Sequence, residues 1–266
     1  MKHTHKSTHG IQFWESQKEH VLEMYDMQGL SASRIAKEYG CDPSTVSKHL
    51  RRWHYPTRRS RYNAKYQVDS DFFKNIETEA QAYVLGLLLA DGHVSKQNSV
   101  MITMKDLDVV EKYKAALKST APIRVDRYGN YQLNIKCKEL ADDLRRIGFH
   151  NRKSYDIDLD LILSHVPKSL EHHFVRGLFD GDGSIKIYHY AYLHHPQYHF
   201  GFTGLKQVVE YVKEFFGITT KTVHESELTY SCVSSGKETI CKIFNTMYNN
   251  ASIYMDRKYN TFLQIV

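Results

Sequence analysis

Two aspartates occupy the same place in a motif that occurs twice in this chain of 266 residues. The stretches 83–94 and 174–185 share the pattern apolar-x-Gly-Leu-apolar-x-small-Asp-Gly, with Asp91 and Asp182 at the acidic position. Each apolar run predicts a buried helix that ends at its aspartate. A helix C-terminus carries roughly half a negative charge, so a carboxylate is disfavoured there unless a cation lies beside it. Two such acids therefore predict a shared cation site.

Glycines in the two motifs predict how the helices meet. Gly86 and Gly177 lie inside the predicted helices, where glycine costs about 1 kcal/mol relative to alanine. Close approach of the two helices would explain both glycines, and it would bring the two aspartates side by side. The glycines that follow the acids, Gly92 and Gly183, are expected to be left-handed C-terminal caps.

The duplicated motif resembles the two motifs of a monomeric LAGLIDADG homing endonuclease, with 84–92 and 175–183 on the nine-residue signature. The resemblance implies an α+β fold, a pseudo-two-fold tandem αββαββα repeat that forms the LAGLIDADG saddle, preceded by a small all-α helix-turn-helix domain. One apolar helix ending in Asp-Gly would more simply be a core helix, but duplication argues against that alternative. The nine residues of 82–90 are also far fewer than the ~20 that span a membrane.

Composition sets looser limits on function. The formal charge of +6 favours a polyanionic partner without establishing one. The 4 cysteines contain no C-x-x-C pair, which fits a reducing compartment better than a disulfide framework. The first residues lack the apolar core of a signal peptide, and no later segment is long enough to anchor in a membrane. We therefore expect a cytoplasmic protein without a membrane partner.

The N-terminal domain is predicted at residues 1–53, with three short helices between 18 and 53. Ser31 is a candidate cap, Gly40 a turn residue, and Asp42-Pro43 an N-cap followed by proline at the first helical position. The residues that supply its small core at helical spacing are Val21, Met24, Leu30, Ile35, Ala36, Tyr39, Val46, Leu50 and Trp53.

The stretch 31–50 resembles the DNA-binding helix-turn-helix modules of resolvases and phage regulators, in which the last helix enters the major groove. Because Val46 and Leu50 must face inward, the resemblance places Ser44, Thr45, Ser47, Lys48 and Arg51 on DNA. A purely structural three-helix cap is the alternative. A basic linker at 54–66 has no acidic residue and favours phosphate or minor-groove contacts through Arg58, Arg59 and Arg61 over a simple solvated linker.

An internal repeat predicts two half-domains, 67–165 and 166–266. The motif aspartates are 91 positions apart (182 − 91), whereas Val109 and Val208 are 99 apart (208 − 109). The difference of 8 predicts an insertion in the first hairpin of the second half, at 186–199. Each half is expected to run helix, two strands, helix, two strands, helix.

Alternate positions along the predicted strands are polar. This is the ordinary pattern of the wet side of an antiparallel sheet, but the bias toward Arg, Lys, Asn, Gln and Tyr favours contacts with bases and phosphates. The candidates are Arg124, Asp126, Arg127, Tyr128, Asn130, Gln132, Asn134 and Lys136 in the first half, and Lys186, Tyr188, Tyr190, Tyr192, Gln197 and His199 in the second.

Phosphodiester hydrolysis needs a nucleophilic water, support of the phosphorane and relief of charge on the leaving oxygen. Two carboxylates with Mg²⁺ can supply all three, because Mg²⁺ keeps several waters and needs one or two carboxylates plus substrate phosphate. We expect Mn²⁺ to substitute and Ca²⁺ to support binding without cleavage. The resemblance adds the carbonyls of Ala90 and Gly181 as metal ligands beside Asp91 and Asp182.

The resemblance also places a basic residue near each scissile phosphate, after the last helix of each half. The matching residues are Lys153 and Lys258, with Arg152 and Arg257 as close competitors. Asp180, where the first half has Leu89, is expected to serve packing or to support the site indirectly.

Together these features predict a monomeric, Mg²⁺-dependent, site-specific endonuclease that cuts double-stranded DNA at a long, partly asymmetric site and needs no small-molecule cofactor. The alternatives are a non-cleaving transcription regulator or an intron RNA maturase on the same fold. Two intact Asp-Gly ends argue against both, since a protein that does not cut has no need of two electrostatically disfavoured acids.

Overall fold

A computed structural model describes residues 10–28, 30–55, 66–150 and 157–266. The chain divides into two compact units, Met1–Ala64 and Lys65–Val266. Each unit has a hydrophobic core of its own, so the two are described separately.

The N-terminal unit is all-helical. Its helices are α1 (Ile11–Ser16), α2 (Lys18–Asp26), α3 (Ala32–Glu38) and α4 (Pro43–Arg52). The prediction had three helices and missed α1, which joins the unit because Trp14 is fully buried and stacks on His49 with ring centroids 4.9 Å apart. The nine predicted core residues all lie in or against this core, and Trp14 and His49 are buried residues that the prediction left out.

The predicted helix boundaries of this unit are confirmed. The Ser31 hydroxyl accepts a hydrogen bond from the backbone N–H of Arg34 at 3.0 Å, and the Asp42 carboxylate accepts one from Ser44 N–H at 2.8 Å. Gly40 turns the chain between α3 and α4 with φ +63°. Residues with a Cβ rarely adopt that conformation.

The C-terminal unit repeats one order of elements twice. The first half contains α5 (Glu79–Asp91), β1 (Gly92–Val94), β2 (Ser99–Met104), α6 (Leu107–Ala116), β3 (Arg124–Val125), β4 (Tyr131–Lys136) and α7 (Lys138–Ile147). The second contains α9 (Glu171–Asp182), β5 (Gly183–Tyr188), β6 (Gln197–Gly204), α10 (Lys206–Phe216), β7 (Val223–Ser226), β8 (Thr229–Ser235) and α11 (Lys237–Tyr248). The predicted αββαββα order is confirmed in both halves. Two further helices, α8 (Leu159–Ser164) and α12 (Asp256–Leu263), were not predicted.

Each half has one four-stranded antiparallel sheet. The strand orders are β1-β2-β4-β3 and β5-β6-β8-β7. The registers correspond as well, because Thr103 lies opposite Gln132 and Thr203 lies opposite Ser231. Buried side chains from both halves form one continuous core. The expected pseudo-two-fold α+β architecture is therefore present.

The insertion in the second half is larger than the sequence offsets implied. Gly92 pairs with Ile102, ten residues later (102 − 92), whereas Gly183 pairs with Phe202, nineteen residues later (202 − 183). The β5–β6 hairpin is thus longer by nine residues. The connection from β6 to α10 is one residue shorter than the connection from β2 to α6. The predicted insertion of eight residues is therefore the net of nine residues gained and one lost.

Candidate active site and nucleic-acid interface

The two motif helices, α5 and α9, cross in backbone contact. A Cβ added at Gly86 would lie 2.0 Å from the carbonyl oxygen of Phe174, and one at Gly177 would lie 2.0 Å from that of Tyr83. Real Cβ atoms do not approach carbonyl oxygens so closely, so only glycine fits at either position. The predicted close approach of these helices is confirmed.

The crossing brings the C-terminal ends of the helices together. Asp91 and Asp182 are the last residues of α5 and α9, and both side chains are exposed. A Cβ at Gly181 would lie 2.2 Å from Cβ of Ala90 and 3.0 Å from Oδ2 of Asp91. The Asp91 carboxylate therefore lies against Gly181 of the opposite motif, which is the residue before Asp182.

The glycines that follow the aspartates are not left-handed caps. Gly92 has φ −84° and ψ 161°, and Gly183 has φ −88° and ψ 166°, so both are extended and begin strands β1 and β5. Space is what requires glycine here. A Cβ at Gly92 would lie 2.5 Å from the carbonyl oxygen of Leu88, and one at Gly183 would lie 2.1 Å from the ring of Phe179.

Lys258 supplies a cation at the end of α9. Its side chain is 3% exposed, and Nζ donates to the carbonyl oxygens of Phe179 at 2.6 Å and Asp180 at 2.8 Å. Burial lowers the pKa of Lys258 to about 8, and the neighbouring carboxylates of Asp180, Asp91 and Asp182 oppose this shift. The lysine was predicted in the segment after the last helix. It does follow the last helix of the repeat, α11, but the segment that carries it forms a further helix, α12, whose packing buries it.

Arg257, the competitor of Lys258, faces another partner. Its guanidinium donates two hydrogen bonds of 2.9 Å to the carboxylate of Asp106, immediately before α6, and the side chain is 62% exposed. The structure therefore brings Lys258, and not Arg257, to the end of α9. The corresponding residues of the first half, Lys153 and Arg152, lie outside the described residues.

Asp180 joins the two helices to the segment before α12. Its fully buried carboxylate accepts hydrogen bonds of 2.8 Å from the Tyr83 hydroxyl of α5 and from the backbone N–H of Met255. Burial raises its pKa, against the charge of Lys258 and these two hydrogen bonds. The expected packing role is confirmed, and Asp180 also fixes the start of α12 and hence the position of Lys258.

A buried ion pair, missed by the sequence analysis, ties the same elements together. Arg176 is fully buried and donates to Glu79 at 2.7 Å, to the Ile253 carbonyl at 3.0 Å and to the Met247 carbonyl at 2.6 Å. Glu79 also accepts from the backbone N–H of Ser252 at 2.6 Å. Arg176 occupies a motif position where the first half has Leu85, and a charge inside an apolar motif was the signal that could have revealed the pair.

The first sheet presents the predicted polar face. Gln132, Asn134 and Lys136 point away from the core and alternate with the buried Leu133 and Ile135, which confirms the alternation along β4. Arg124 lies opposite Gln132 and extends this face onto β3.

The turn between β3 and β4 holds the other first-half candidates. Asp126 accepts hydrogen bonds from the backbone N–H groups of Tyr128 and Asn130 and from the Asn130 amide, so Asn130 stabilises the turn. The guanidinium of Arg127 lies over the Tyr128 ring at 4.6 Å. Arg127 and Tyr128 thus lie at the tip of the hairpin formed by β3 and β4.

In the second sheet, four predicted residues share one face. Lys186 lies opposite His199, and Tyr188 lies opposite Gln197. Tyr190 and Tyr192 were placed in the same strand alternation, but they lie in the loop 189–196 because β5 ends at Tyr188. The ring centroids of Tyr188 and Tyr190 are 5.9 Å apart, and those of Tyr190 and Tyr192 are 5.5 Å apart.

The sheet registers place further residues on these two faces that were not predicted from the sequence. In the first half these residues are His93, Ser99, Met101 and Thr103, and in the second half they are Ser184, Gly201, Thr203, Val223, Ser231, Val233 and Ser235. They lie on the same faces as the predicted residues, at alternate positions that only the pairing reveals.

The last helix of the N-terminal unit, α4, exposes part of its predicted set. Ser44, Lys48 and Arg51 are exposed, whereas Thr45 and Ser47 are half-buried. Val46 and Leu50 are buried as predicted. Of the linker, Arg58, Arg59 and Arg61 lie outside the described residues.

Two features of the described residues concern what the site can hold and whether a helix could span a membrane. Among the described residues, no group of three or more His, Cys, Asp or Glu side chains could hold a metal ion. Any metal at the helix ends would thus depend on two carboxylates with other oxygens. Within the same ranges, no helix has the length and apolar character needed to cross a membrane.

Two known domain families match parts of the chain. A LAGLIDADG-like domain matches residues 78–148, and a homeodomain-like domain matches residues 15–56. No curated protein matches the chain.

Solved structures give the fold of the larger unit. The chain is similar to the I-LtrWI LAGLIDADG homing endonuclease bound to target DNA, with TM-score 0.51 and 13% identity over 70% of this chain and 89% of that one. It is also similar to the LAGLIDADG meganuclease I-AabMI bound to uncleaved DNA, with TM-score 0.50 and 13% identity over 69% and 89% of the two chains. The chain therefore has the fold of the monomeric two-domain LAGLIDADG homing endonucleases, preceded by a homeodomain-like helix-turn-helix domain.

Proposed function

We propose that the protein is a site-specific endonuclease that hydrolyses both strands of duplex DNA with divalent metal held by Asp91 and Asp182. The observation that carries the proposal is the pair of exposed carboxylates at the ends of two helices in backbone contact. Helix C-termini disfavour carboxylates, and a bound cation removes that penalty. The solved relatives of this fold are homing endonucleases bound to DNA.

The donor set fits Mg²⁺. One or two carboxylates plus substrate phosphate and water satisfy its six-coordinate preference, and the carbonyls of Ala90 and Gly181 lie one residue before the acids. When bound, the metal would lower the pKa of a water and neutralise charge on the phosphate oxygens. Mn²⁺ is expected to replace Mg²⁺, whereas Ca²⁺ would allow DNA binding without cleavage.

The protein's own residues would orient the substrate and support the charge. Lys258 holds two carbonyl oxygens at the end of α9 and keeps a positive charge near both aspartates. Such a preorganised charge stabilises the anionic transition state more than it stabilises the bound phosphate. The two sheet faces would bind the halves of one long duplex site, so a single chain would cut both strands.

A non-cleaving DNA-binding regulator or an RNA maturase would use the same sheet faces and α4. Neither would need exposed aspartates on two adjoining helix ends, and this favours the endonuclease.

Selection of cleaved plasmids from a randomised library in Mg²⁺ tests the proposal. We expect one linearised sequence class, cut at a fixed position on both strands, and protection of the same sequence without cutting in Ca²⁺. Sequence-specific binding with no cleavage in Mg²⁺ or Mn²⁺ would contradict the endonuclease and support the regulator. Binding of structured RNA in preference to every duplex would support the maturase.

A further inference from the structure

The outer strand pairs of the two sheets present opposite chemistry at corresponding positions. Arg124 lies opposite Gln132 in the first sheet, and Val223 lies opposite Ser231 in the second. Both pairs adjoin a threonine of the neighbouring strand, Thr103 or Thr203. By this register, Arg124, Gln132, Asn134 and Lys136 correspond to Val223, Ser231, Val233 and Ser235. Long hydrogen-bonding side chains in the first half are thus replaced by short hydroxyl and apolar ones in the second.

The clearest contrast runs across the middle of each sheet. In the first half, His93, Met101 and Asn134 are paired side by side on β1, β2 and β4. In the second half the matching row is Ser184, Gly201 and Val233 on β5, β6 and β8.

Val233 has a glycine, Gly201, opposite it on the neighbouring strand. A Cβ at Gly201 would lie 3.9 Å from Cγ1 of Val233, so the absence of a side chain at Gly201 leaves one flank of the valine open. Val233 is 46% exposed and Val223 is 49% exposed. Both valines lie on the sheet face that also carries Lys186 and His199.

The edges of base pairs in the major groove offer one apolar group, the C5 methyl of thymine. Guanine and adenine are recognised instead by side chains that donate or accept two hydrogen bonds, as arginine, glutamine and asparagine do. We infer that Val233 and Val223 contact thymine methyl groups, so that the second half-sheet selects thymine where the first selects purines. This inference rests on the proposed DNA-binding function of the sheet faces.

The first experiment compares two binding selections with the full-length protein in Ca²⁺. One library of randomised duplexes contains thymine, and the other contains uracil in its place, which removes only the C5 methyl. We expect a preferred thymine in the half-site opposite the purine-rich half, and loss of that preference in the uracil library. Replacing this thymine alone by uracil should weaken binding about fourfold, the effect of one buried methylene-sized group. Restoring a methyl as 5-methylcytosine, paired with guanine, should bind better than cytosine at the same position.

Exchange of residues within the chain provides the matched test. Val233→Asn introduces the residue of the corresponding first-half position, and Asn134→Val makes the reverse change. The first variant should shift the preference from thymine to adenine at one position of the second half-site, with no response to uracil remaining there. The second variant should create a methyl-dependent preference in the first half-site. Thermal melts of both variants should match those of the parent, since positions 134 and 233 are solvent-exposed.

Identical selected sites from the two libraries, or unchanged preferences in both variants, would overturn the inference while leaving DNA recognition intact. Failure of the parent protein to enrich any duplex from either library would overturn the proposed function, and this inference with it.

Discussion

Asp91 and Asp182 are exposed carboxylates at helix ends where backbone carbonyls already concentrate negative charge. Lys258 offsets part of that charge by binding two carbonyl oxygens of α9. One buried ammonium faces the carboxylates of Asp180, Asp91 and Asp182, so carboxylates outnumber this ammonium at the helix ends. The proposed divalent cation would complete the neutralisation and so remove the penalty on the two acids.

Changing Asp91 or Asp182 to asparagine should therefore abolish double-strand cleavage, leaving at most slow nicking, while DNA binding persists. Each change also removes a charge that the helix end disfavours, so without metal each variant should be at least as stable as the parent. Cleavage of supercoiled plasmid and thermal melts in chelator provide the two measurements.

Glu38→Gln is the matched control for these variants, because Glu38 is also an exposed acid at the last position of a helix, α3. It should cut like the parent. Variants at Asp91 and Asp182 that cut both strands normally, or that unfold, would show that these acids are structural.

Lys258→Met should slow single-turnover cleavage by roughly 10²- to 10³-fold, the effect of removing one preorganised charge donor from an active site. DNA affinity should change little, because the buried ammonium cannot reach a groove. Arg257→Met is the control at the adjacent position. It breaks an exposed pair with Asp106, which contributes about 0–1 kcal/mol. A larger loss of rate in Arg257→Met than in Lys258→Met would reverse the assignment.

The pKa of Lys258 also predicts how stability depends on pH. Its value is about 8 in the folded protein, against an ordinary 10.5. Between these values Lys258 binds more protons in the unfolded chain than in the folded one, so this lysine contributes an increase in the free energy of unfolding as pH rises from about 8 towards 10.5. Urea unfolding in chelator across this window should give a more positive slope of unfolding free energy against pH in the parent than in Lys258→Met. Equal slopes would mean that the lysine titrates normally.

At the scale of the elements, the crossing of α5 and α9 sets the position of everything in the site. Gly86→Ala and Gly177→Ala would each place a methyl group about 2.0 Å from a carbonyl oxygen of the opposite helix. We expect each change to destabilise the protein by about 1–3 kcal/mol, as overpacking does. An unconstrained helical glycine would instead gain about 1 kcal/mol on change to alanine.

The sign of the change in unfolding free energy therefore shows whether the two helices constrain the glycine, and denaturant unfolding measures that change. Gly10→Ala, at the residue before α1, is the control for a methyl added without crowding, because no atom of the described residues beyond its chain neighbours lies within 4 Å of the added Cβ. A stabilised Gly86→Ala or Gly177→Ala variant would show that the helices separate more easily than this packing allows.

Sequence patterns predicted those features that depend on neighbouring residues or that occur in both copies of the repeat. Ser31, Gly40 and Asp42 mark helix boundaries through their own backbone and side-chain chemistry, and the duplicated glycines marked the crossing. Lys258 and Asp180 could be selected by position, but their contacts could not be predicted. Those contacts depend on the packing of α12 against α9, which brings together residues far apart in the chain.

Failures of prediction have the same physical origin. Gly92 and Gly183 are glycines because of crowding from Leu88 and Phe179, which local sequence does not reveal. Val233 was not predicted to contact DNA because a valine on a strand usually faces the core. Its exposure follows from the register with Gly201, which only the sheet determines.

At the scale of the whole molecule, the chain combines a helical unit and a duplicated α+β unit, each with its own core. The aspartates, Lys258 and both sheets lie in the second unit, so cleavage chemistry should not need the first. The exposed Lys48 and Arg51 of α4 would add phosphate contacts, which strengthen binding and make it more sensitive to salt.

Deletion of Met1–Ala64 should therefore weaken target affinity and reduce its salt dependence, while both strands are still cut at the same phosphates. One small module buries little surface on DNA, so the isolated unit should bind duplex only weakly. End-labelled mapping of the cut, together with binding measured across a salt series, checks both effects. Full-length protein with Lys48→Ala and Arg51→Ala should reproduce the lower salt dependence without removing the unit. A cut that moves or disappears on deletion would show that the helical unit positions the catalytic unit on its target, contrary to the division of labour proposed for the two units.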